Sequence, residues 1–481
     1  MVSIKKNFLY SSILTSANYI FPLIVYPYIS RVLGVTNIGV CKFVDSIVSY
    51  FILFSMFGIS SIGIREIAKA KNNKKRLNET FNNLFWINAL FTFVSTFVLI
   101  ISMHVVPSLI PYRKLLFIGV VKVISNFFLI EWFFKGLEDF RYITIRRLII
   151  KCIYVVLIFV FVREESDYIK YYFLTVVMIF LNSIFNQVYA RKFVKITLNG
   201  IKLFAFIGPI LIMGIYALMT SMYTTFNVAY LGFVAGPTEV GYYTTSHNLY
   251  DALLAFFATL TGVMLPRMSS LLSEGRIDEF KRLLMKSASV LFSFSIPFVA
   301  LFIIFAPELI FLYAGKGYEG AIIPMQISMP LMIVIGYEQI IITQGLLPLD
   351  KNKAVLANAI IGAITGFLFT LLLVGRYKSV GTVVVWVLSE ACVLVSASFF
   401  IKRYVDFVFP YKLLIKQILV YIPLAVVLLF FRKVILTPLF EVFIAGLLTV
   451  IYTYITQRYV MKNPILLDVV SDVRKMLKKN N

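Results

Sequence analysis

Two pairs of ionisable residues sit inside apolar sequence at spacings that put each pair on one helix face: Lys42 with Asp45, three apart, and His247 with Asp251, four apart. A cation beside a carboxylate can hold an anion, relay a proton or simply neutralise its neighbour. Glu131, Glu338, Glu390 and Lys122 stand as isolated charges in similar surroundings. An ionised side chain at the centre of a hydrocarbon-embedded helix costs about 2.5–3.5 kcal/mol on insertion scales, so each is first a functional candidate. Glu338 and Glu390 lie deepest and, with Glu131, are candidates for proton-linked coupling. The alternatives stay open: an internal salt bridge for Lys42 and Asp45, an interfacial anchor for Glu131 next to Trp132.

These charges are positioned by about fourteen apolar stretches of membrane-spanning length, near 9–33, 38–64, 81–103, 112–134, 142–162, 168–190, 205–231, 242–266, 286–312, 321–345, 354–375, 380–401, 413–431 and 438–456. Hydrophobic residues make up 60% of the chain and charged ones only 14%, and the mean hydropathy is +0.89, which excludes a soluble core. The runs are too long for barrel strands, and a backbone in hydrocarbon must satisfy its own hydrogen bonds. The fold class expected is therefore an all-α polytopic membrane protein. The first run continues to about Gly34 with no small-residue cleavage site, which predicts an uncleaved first span.

The net charge of +23 follows the membrane rather than a nucleic acid. With the N-terminus inside, 34 of the 46 basic residues fall on cytoplasmic segments and 10 on the opposite side, while Lys42 and Lys122 lie within spans. The positive-inside rule then predicts both termini in the cytoplasm. The same charge favours contact with anionic membrane lipids.

Several function classes drop out. Cys41, Cys152 and Cys392 lie on separate spans without a CxxC, so neither a disulfide framework nor a metal cluster is expected, and two histidines, His104 and His247, make a zinc site improbable. No GxxxxGK[ST] phosphate loop is present, no cofactor is implied and no catalytic residue is assigned. External loops are short, and the first, around Val35 to Asn37, has no acid, which weighs against a membrane glycosyltransferase. Secondary transport remains.

A shift of 202 residues aligns Val32 with Val234, Gly34 with Gly236, Thr36 with Thr238, Gly39 with Gly241, Phe54 with Phe256 and Arg65 with Arg267. Six spans is an even shift, so the repeats would run parallel, related by an axis along the membrane normal. Recurrence of Gly at turns and Arg at inner helix ends is the competing explanation. Tyr19, Tyr26, Tyr28 and Tyr223 are candidates for stacking on sugar rings, with an interfacial tyrosine belt as the alternative. Pro22, Pro27, Pro297, Pro324 and Pro330 are expected to break or bend helices.

Arg31-Val-Leu-Gly34 followed by Gly39, then Gly58 to Lys69, then Glu131-Trp-Phe-Phe-Lys-Gly136-Leu-Glu-Asp139-Phe-Arg141, resemble successive motifs of the Wzx-type polysaccharide flippases, and the stretch from Pro307 through Ala321 is similar to that family's second half. The family shares a superfamily with MATE multidrug antiporters and lipid II flippases. The resemblance implies two six-helix lobes, 1–200 and 201–405, with two further helices and a basic tail over 406–481. It also implies passage of an undecaprenyl-pyrophosphate-linked oligosaccharide between leaflets of the bacterial cytoplasmic membrane. A polysaccharide polymerase and a chain-length regulator are the expected partners. By resemblance to the lipid II branch, Arg31, Arg65 and Arg267 match cavity arginines. Arg31 equally suits snorkelling, and Arg65 and Arg267 equally satisfy the positive-inside rule. Together with Lys42, Asp45, His247 and Asp251 they form the candidate binding set. A MATE-like antiporter is the main rival, and Arg31 and Lys42, which would repel its organic cations, weigh against it.

The topology predicts that Asn73→Cys, on a background lacking Cys41, Cys152 and Cys392, resists membrane-impermeant thiol reagents added to intact cells, while a cysteine within 163–167 reacts readily. Labelling at position 73 from outside would overturn it.

Overall fold

The computed structural model of the chain describes residues 4–198, 201–202, 206–432 and 437–461. The side chains of Tyr19, Tyr223, Lys5 and Lys6, and the basic tail from Lys462, lie outside the described residues. The stretches expected to span the membrane are helical over most of their described length, with interruptions such as those at Gly58, Ile130 and Pro330, and no strand occurs among the described residues. Eight helical stretches are long and apolar enough to cross a bilayer, or up to ten when each of two bent pairs is one span. Two of the eight, 58 and 54 residues long, exceed twice the roughly 20 residues one crossing needs.

Both long stretches carry a break. Helix α1 (Ile4–Met56) is interrupted at Gly34, φ 71° and ψ 167°, and is followed by α2 (Ile59–Ala70), whose N-cap Gly58 is left-handed. Pro22 and Pro27 lie inside α1 without breaking it, because Gly34 is its non-helical residue. The chain continues through α3 (Lys74–Val105), α4 (Arg113–Leu129), α5 (Glu131–Gly136), α6 (Phe140–Phe161), α7 (Tyr168–Ala190), α8 (Ile207–Thr224) and α9 (Phe226–Ala235). Then come α10 (Pro237–Ser273), α11 (Ile277–Ile304), α12 (Ala306–Ala314), α13 (Ile322–Ser328) and α14 (Leu331–Gln339). Pro330 marks a 42° bend before α14, which runs on as a π-helical segment, Ile340–Leu346. Helix α15 (Asn352–Val405) is interrupted at Lys378, and α16 (Tyr411–Phe431) and α17 (Pro438–Ile455) complete the described chain.

The 202-residue repeat is visible as geometry. Gly34 and its counterpart Gly236 adopt nearly the same positive-φ conformation, with φ 71° and 85° and ψ 167° and 172°. The hydroxyls of Thr36 and Thr238 are hydrogen-bonded at 3.0 Å. A Cβ on Gly39 would lie 1.8 Å from the Pro237 carbonyl oxygen, and one on Gly241 would lie 2.3 Å from that of Val35. Val35 and Pro237 are themselves repeat partners. Each residue therefore meets its partner's neighbour reciprocally, the signature of a two-fold contact, and glycine is required because backbone touches backbone.

By packing, the chain divides into two compact units, Met1–Thr244 with Gly366–Thr382, and Thr245–Thr365 with Val383–Asn481. In the first, the Thr370 hydroxyl donates to Asn227 Oδ1 at 2.7 Å, and Glu239 accepts from both the amide and hydroxyl of Ser379, beside the Lys378 break. In the second, a buried ring of polar groups joins α11, α16 and the chain just after α17. Gln417 donates to Ser293 Oγ at 3.0 Å, Ser293 to Gln457 Oε1 at 2.8 Å and Gln457 to Gln417 Oε1 at 2.9 Å. Side-chain hydrogen bonds of this kind hold helices together where lipid offers no competing partner. Outside the spans, the Ser270 hydroxyl and then Arg276 hold the Glu274 carboxyl below its ordinary range, tying the turn between α10 and α11.

The reciprocal turn predicts that a Thr36→Cys and Thr238→Cys pair, on the background free of native cysteines, forms a bridge on mild oxidation in membranes. Mass spectrometry of the linked peptides checks it, and a Thr36→Cys, Thr244→Cys control, with the second cysteine moved about 9 Å along α10, should remain unlinked.

Candidate functional site

A polar cavity in the first unit grows from a break in the chain. Helix α4 ends at Leu129, and Ile130 turns the backbone with φ 35°, a left-handed value that costs a β-branched residue about 1–3 kcal/mol. Asn186 donates its side-chain amide to the carbonyl of Leu129, which satisfies part of the frayed end. Glu131 begins α5 immediately afterwards. Its carboxylate takes Arg147 as a bidentate pair, Nε to Oε1 at 2.7 Å and Nη2 to Oε2 at 2.5 Å, and Arg146 Nη2 at 2.9 Å, with Lys135 4.0 Å away. The expectation of an isolated Glu131 is corrected: α6 brings two guanidiniums to it, because burial leaves a carboxylate no cheaper arrangement than charged partners.

The aromatic run after Glu131 is packing that fixes this pair. Trp132 is buried, stacked against Phe81 at 5.7 Å, and a Cβ on Gly63 would come within 2.6 Å of its ring. Gly136 gives the same close approach to Ile67. The two glycines let α2 and α5 touch, and Asp139 caps α6 by accepting from the Tyr142 amide, with the Tyr189 hydroxyl on its other oxygen. The motif is thus a scaffold that delivers Glu131 and the start of α6 in register.

Beside Glu131 opens a cavity of about 700 Å³ walled by the end of α1, the start of α2, α5 and α8. Ser49, Ser60, Ser61, Asn126, Tyr216 and Thr220 line it with hydrogen-bonding groups, and Glu131, Lys135 and Arg147 supply its charge. A second cavity of about 280 Å³ shares Leu129, Glu131 and Arg147 and adds Lys151, Thr175 and Asn182. Lys151 is held by Asn18 Oδ1 at 2.6 Å. Two guanidiniums and a lysine around one carboxylate leave net positive charge, which suits an anion together with hydroxyl-rich groups.

The residues expected from sequence are placed as follows. Asp45 is ion-paired with Lys122 of α4 rather than with Lys42, so Lys122 is not isolated; Lys42 is half-buried on α1, close enough to act electrostatically on Asp45. Arg31 is exposed and donates Nη1 to the Pro27 carbonyl one turn back at 2.5 Å. Arg65 is exposed and paired with Glu66 at 3.0 Å, and Arg267 is exposed on α10. In the second unit His247 pairs with Asp251 at 3.4 Å and packs its ring on Trp386, 4.8 Å between centroids. Glu338 and Glu390, expected to be isolated, bring their carboxyl groups within hydrogen-bonding reach of each other, and Trp386 donates to Glu390 at 3.2 Å. In sequence Arg146, Arg147, Lys135 and Lys151 count only toward the positive-inside charge. For Arg146, Arg147 and Lys151 the signal that singles them out is the run of basic residues within a single span, 142–162; Lys135, between spans, carries no such signal.

With this geometry in view, the comparisons are consistent with one another. Two curated proteins provisionally named O-antigen transporters are similar to the chain. One, from Escherichia coli K12, is 25% identical over 84% of this chain and 97% of its own; the other, from Shigella dysenteriae, is 26% identical over 81% and 98%. Among solved structures, a lipid II flippase MurJ in an inward closed conformation superposes with a TM-score of 0.78 at 14% identity, covering 94% of this chain and 99% of that one. An inward-facing MATE multidrug resistance transporter reaches 0.60, also at 14% identity, over 84% and 96%. These structures share the fold. Residues 4–272, more than half of the chain, match the polysaccharide biosynthesis protein family, and the chain belongs to that family.

Proposed function

We propose that this protein is a flippase of the bacterial cytoplasmic membrane that carries undecaprenyl-pyrophosphate-linked oligosaccharide repeat units from the inner to the outer leaflet by alternating access. The names of its relatives and the fold shared with a lipid II flippase support a lipid-linked oligosaccharide as cargo. The observation that carries the reading is the hydroxyl-lined 700 Å³ cavity with Lys135 and Arg147 on its wall. Pyrophosphate asks for cations and the sugar for hydrogen-bonding groups, and this cavity offers both. An organic cation would meet surplus positive charge there, which disfavours the MATE-like antiporter.

On this reading the chain crosses the membrane fourteen times with both termini in the cytoplasm, and its six-helix lobes are 1–200 and 201–405. The reciprocal turn at Thr36 and Thr238 is a natural place for an outer closure that must open in each cycle. A polymerase and a chain-length regulator would receive the product. Outward movement of an anion is assisted by an inside-negative potential, about 2.3 kcal/mol per charge per 100 mV. Contact between two carboxyl groups is favourable when one carries a proton, which suits Glu338 and Glu390 to proton linkage, with His247, Tyr250 and Asp251 as the neighbouring titratable groups.

A charge-assisted hydrogen bond to an anion contributes about 1.5–3 kcal/mol net, so Arg147→Gln combined with Lys135→Gln should lower polysaccharide export about tenfold or more at unchanged membrane levels. Complementation equal to wild type would remove the cavity from the transport path. In vesicles loaded with lipid-linked oligosaccharide, Glu338→Gln and Glu390→Gln should each flatten the response of flipping to an imposed pH gradient. An undiminished response in both variants would exclude the pair from coupling.

A further inference from the structure

The polar cavity does not stand alone. On the other side of Phe57 lies an open apolar groove of about 690 Å³, lined by Phe51, Phe54 and Phe57 of the α1 end, Leu90 and Val94 of α3, and Leu211 of α8. Phe57 lines both spaces. The join is set by the break between α1 and α2. Gly58 takes φ 86°, and a Cβ there would lie 2.3 Å from the Ile210 carbonyl oxygen, so the break is pressed against α8. From that contact α8 sends Leu211 to the groove and Met213 and Tyr216 to the cavity.

The groove is dry by construction. Its one hydroxyl, that of Ser95, is committed to the Phe51 carbonyl at 2.6 Å, so no polar group is left for water or sugar. Phe51, Phe54 and Phe57 recur every three residues on one helix face, with Phe54 and Phe57 stacked at 6.2 Å and Phe57 edge-on to Phe91. Rigid phenyl faces of this kind suit a branched, unsaturated hydrocarbon chain better than a compact polar ligand. A ligand spanning both spaces must be an amphiphile, charged and polar at one end and apolar at the other.

We infer that the groove at Phe51, Phe54, Leu90 and Val94 binds the part of the polyprenyl chain nearest the pyrophosphate, while the pyrophosphate and first sugar occupy the cavity at Lys135 and Arg147. This rests on the reading of the cavity as a pyrophosphate site and adds a second recognition element to it. The chain segment emerging from the cavity is selected in the groove, and the remainder stays in lipid.

The test uses the full-length protein in nanodiscs with three probes: undecaprenyl pyrophosphate, geranyl pyrophosphate and inorganic pyrophosphate. Affinity should fall in that order, as the chain shortens. Val94→Trp, which fills the groove, should weaken the two prenylated probes at least tenfold and leave inorganic pyrophosphate unchanged, whereas Arg147→Gln should weaken all three alike. Loss of all three probes to the same degree in Val94→Trp, or of none, overturns the groove. Indifference of every probe to Arg147→Gln instead overturns the pyrophosphate reading and leaves the groove to be judged by a second measurement. There, Phe54→Trp fluorescence should be quenched more strongly by chain-brominated polyprenyl pyrophosphate than by brominated phosphatidylglycerol at equal mole fraction. Equal quenching would mean that the groove holds bulk lipid and would overturn the inference.

Discussion

A backbone surrounded by hydrocarbon must bond to itself, and a charge surrounded by hydrocarbon must find a partner; the arrangement of this chain follows from those two demands. The first makes every apolar stretch a helix. The second draws helices together wherever an ionisable residue falls within one. Asp45 pulls Lys122 of α4 against α1, and Glu131 gathers Arg146 and Arg147 of α6. Glu308, near the start of α12, takes Arg432 at the end of α16. Charge pairing here is a means of specifying which helix faces which, since apolar faces alone do not discriminate among neighbours in lipid.

The sites of interest lie where the helical ladder is interrupted. Gly34 and Gly236 turn the chain at the reciprocal contact, Gly58 opens the gap between cavity and groove, Ile130 precedes Glu131, and the π-helical turns begin two residues after Glu338. A helix presents side chains at fixed angles. An interruption frees a residue from that geometry and leaves polar backbone that only a protein-lined or polar space tolerates. The left-handed Ile130 is the costliest of these, and it immediately precedes the carboxylate that organises the cations and the aromatic plug of Trp132, which is where stored strain has a use.

In the proposed function, the cation cluster and the Phe-lined groove divide recognition by chemistry. Positive charge beyond what Glu131 neutralises attracts an anion without demanding a particular sugar, and hydroxyls such as Ser60 and Thr220 adapt to many glycan patterns. The apolar side would contribute affinity common to any cargo on the same lipid. Such a division would allow one fold to serve different repeat units by changing the hydroxyl lining while keeping the charged and apolar walls.

Hydropathy and residue spacing are properties of single segments, so the all-α membrane class and the recurrence at the reciprocal turn were legible in the chain alone, whereas the number of crossings was not. Gly34, Thr36 and Gly39 could be matched to Gly236, Thr238 and Gly241 by shift alone. The pairing of charges was decided only by the tertiary structure. Lys42 is three residues from Asp45 in sequence, yet Lys122, 77 residues away, holds it; Glu338 and Glu390 come from different helices. Arg146 and Arg147 looked like loop-edge charge until α6 placed them on Glu131. Periodicity states which face of a helix a residue occupies, but a partner on another helix depends on rotation and packing, and those are settled only when all the helices pack together.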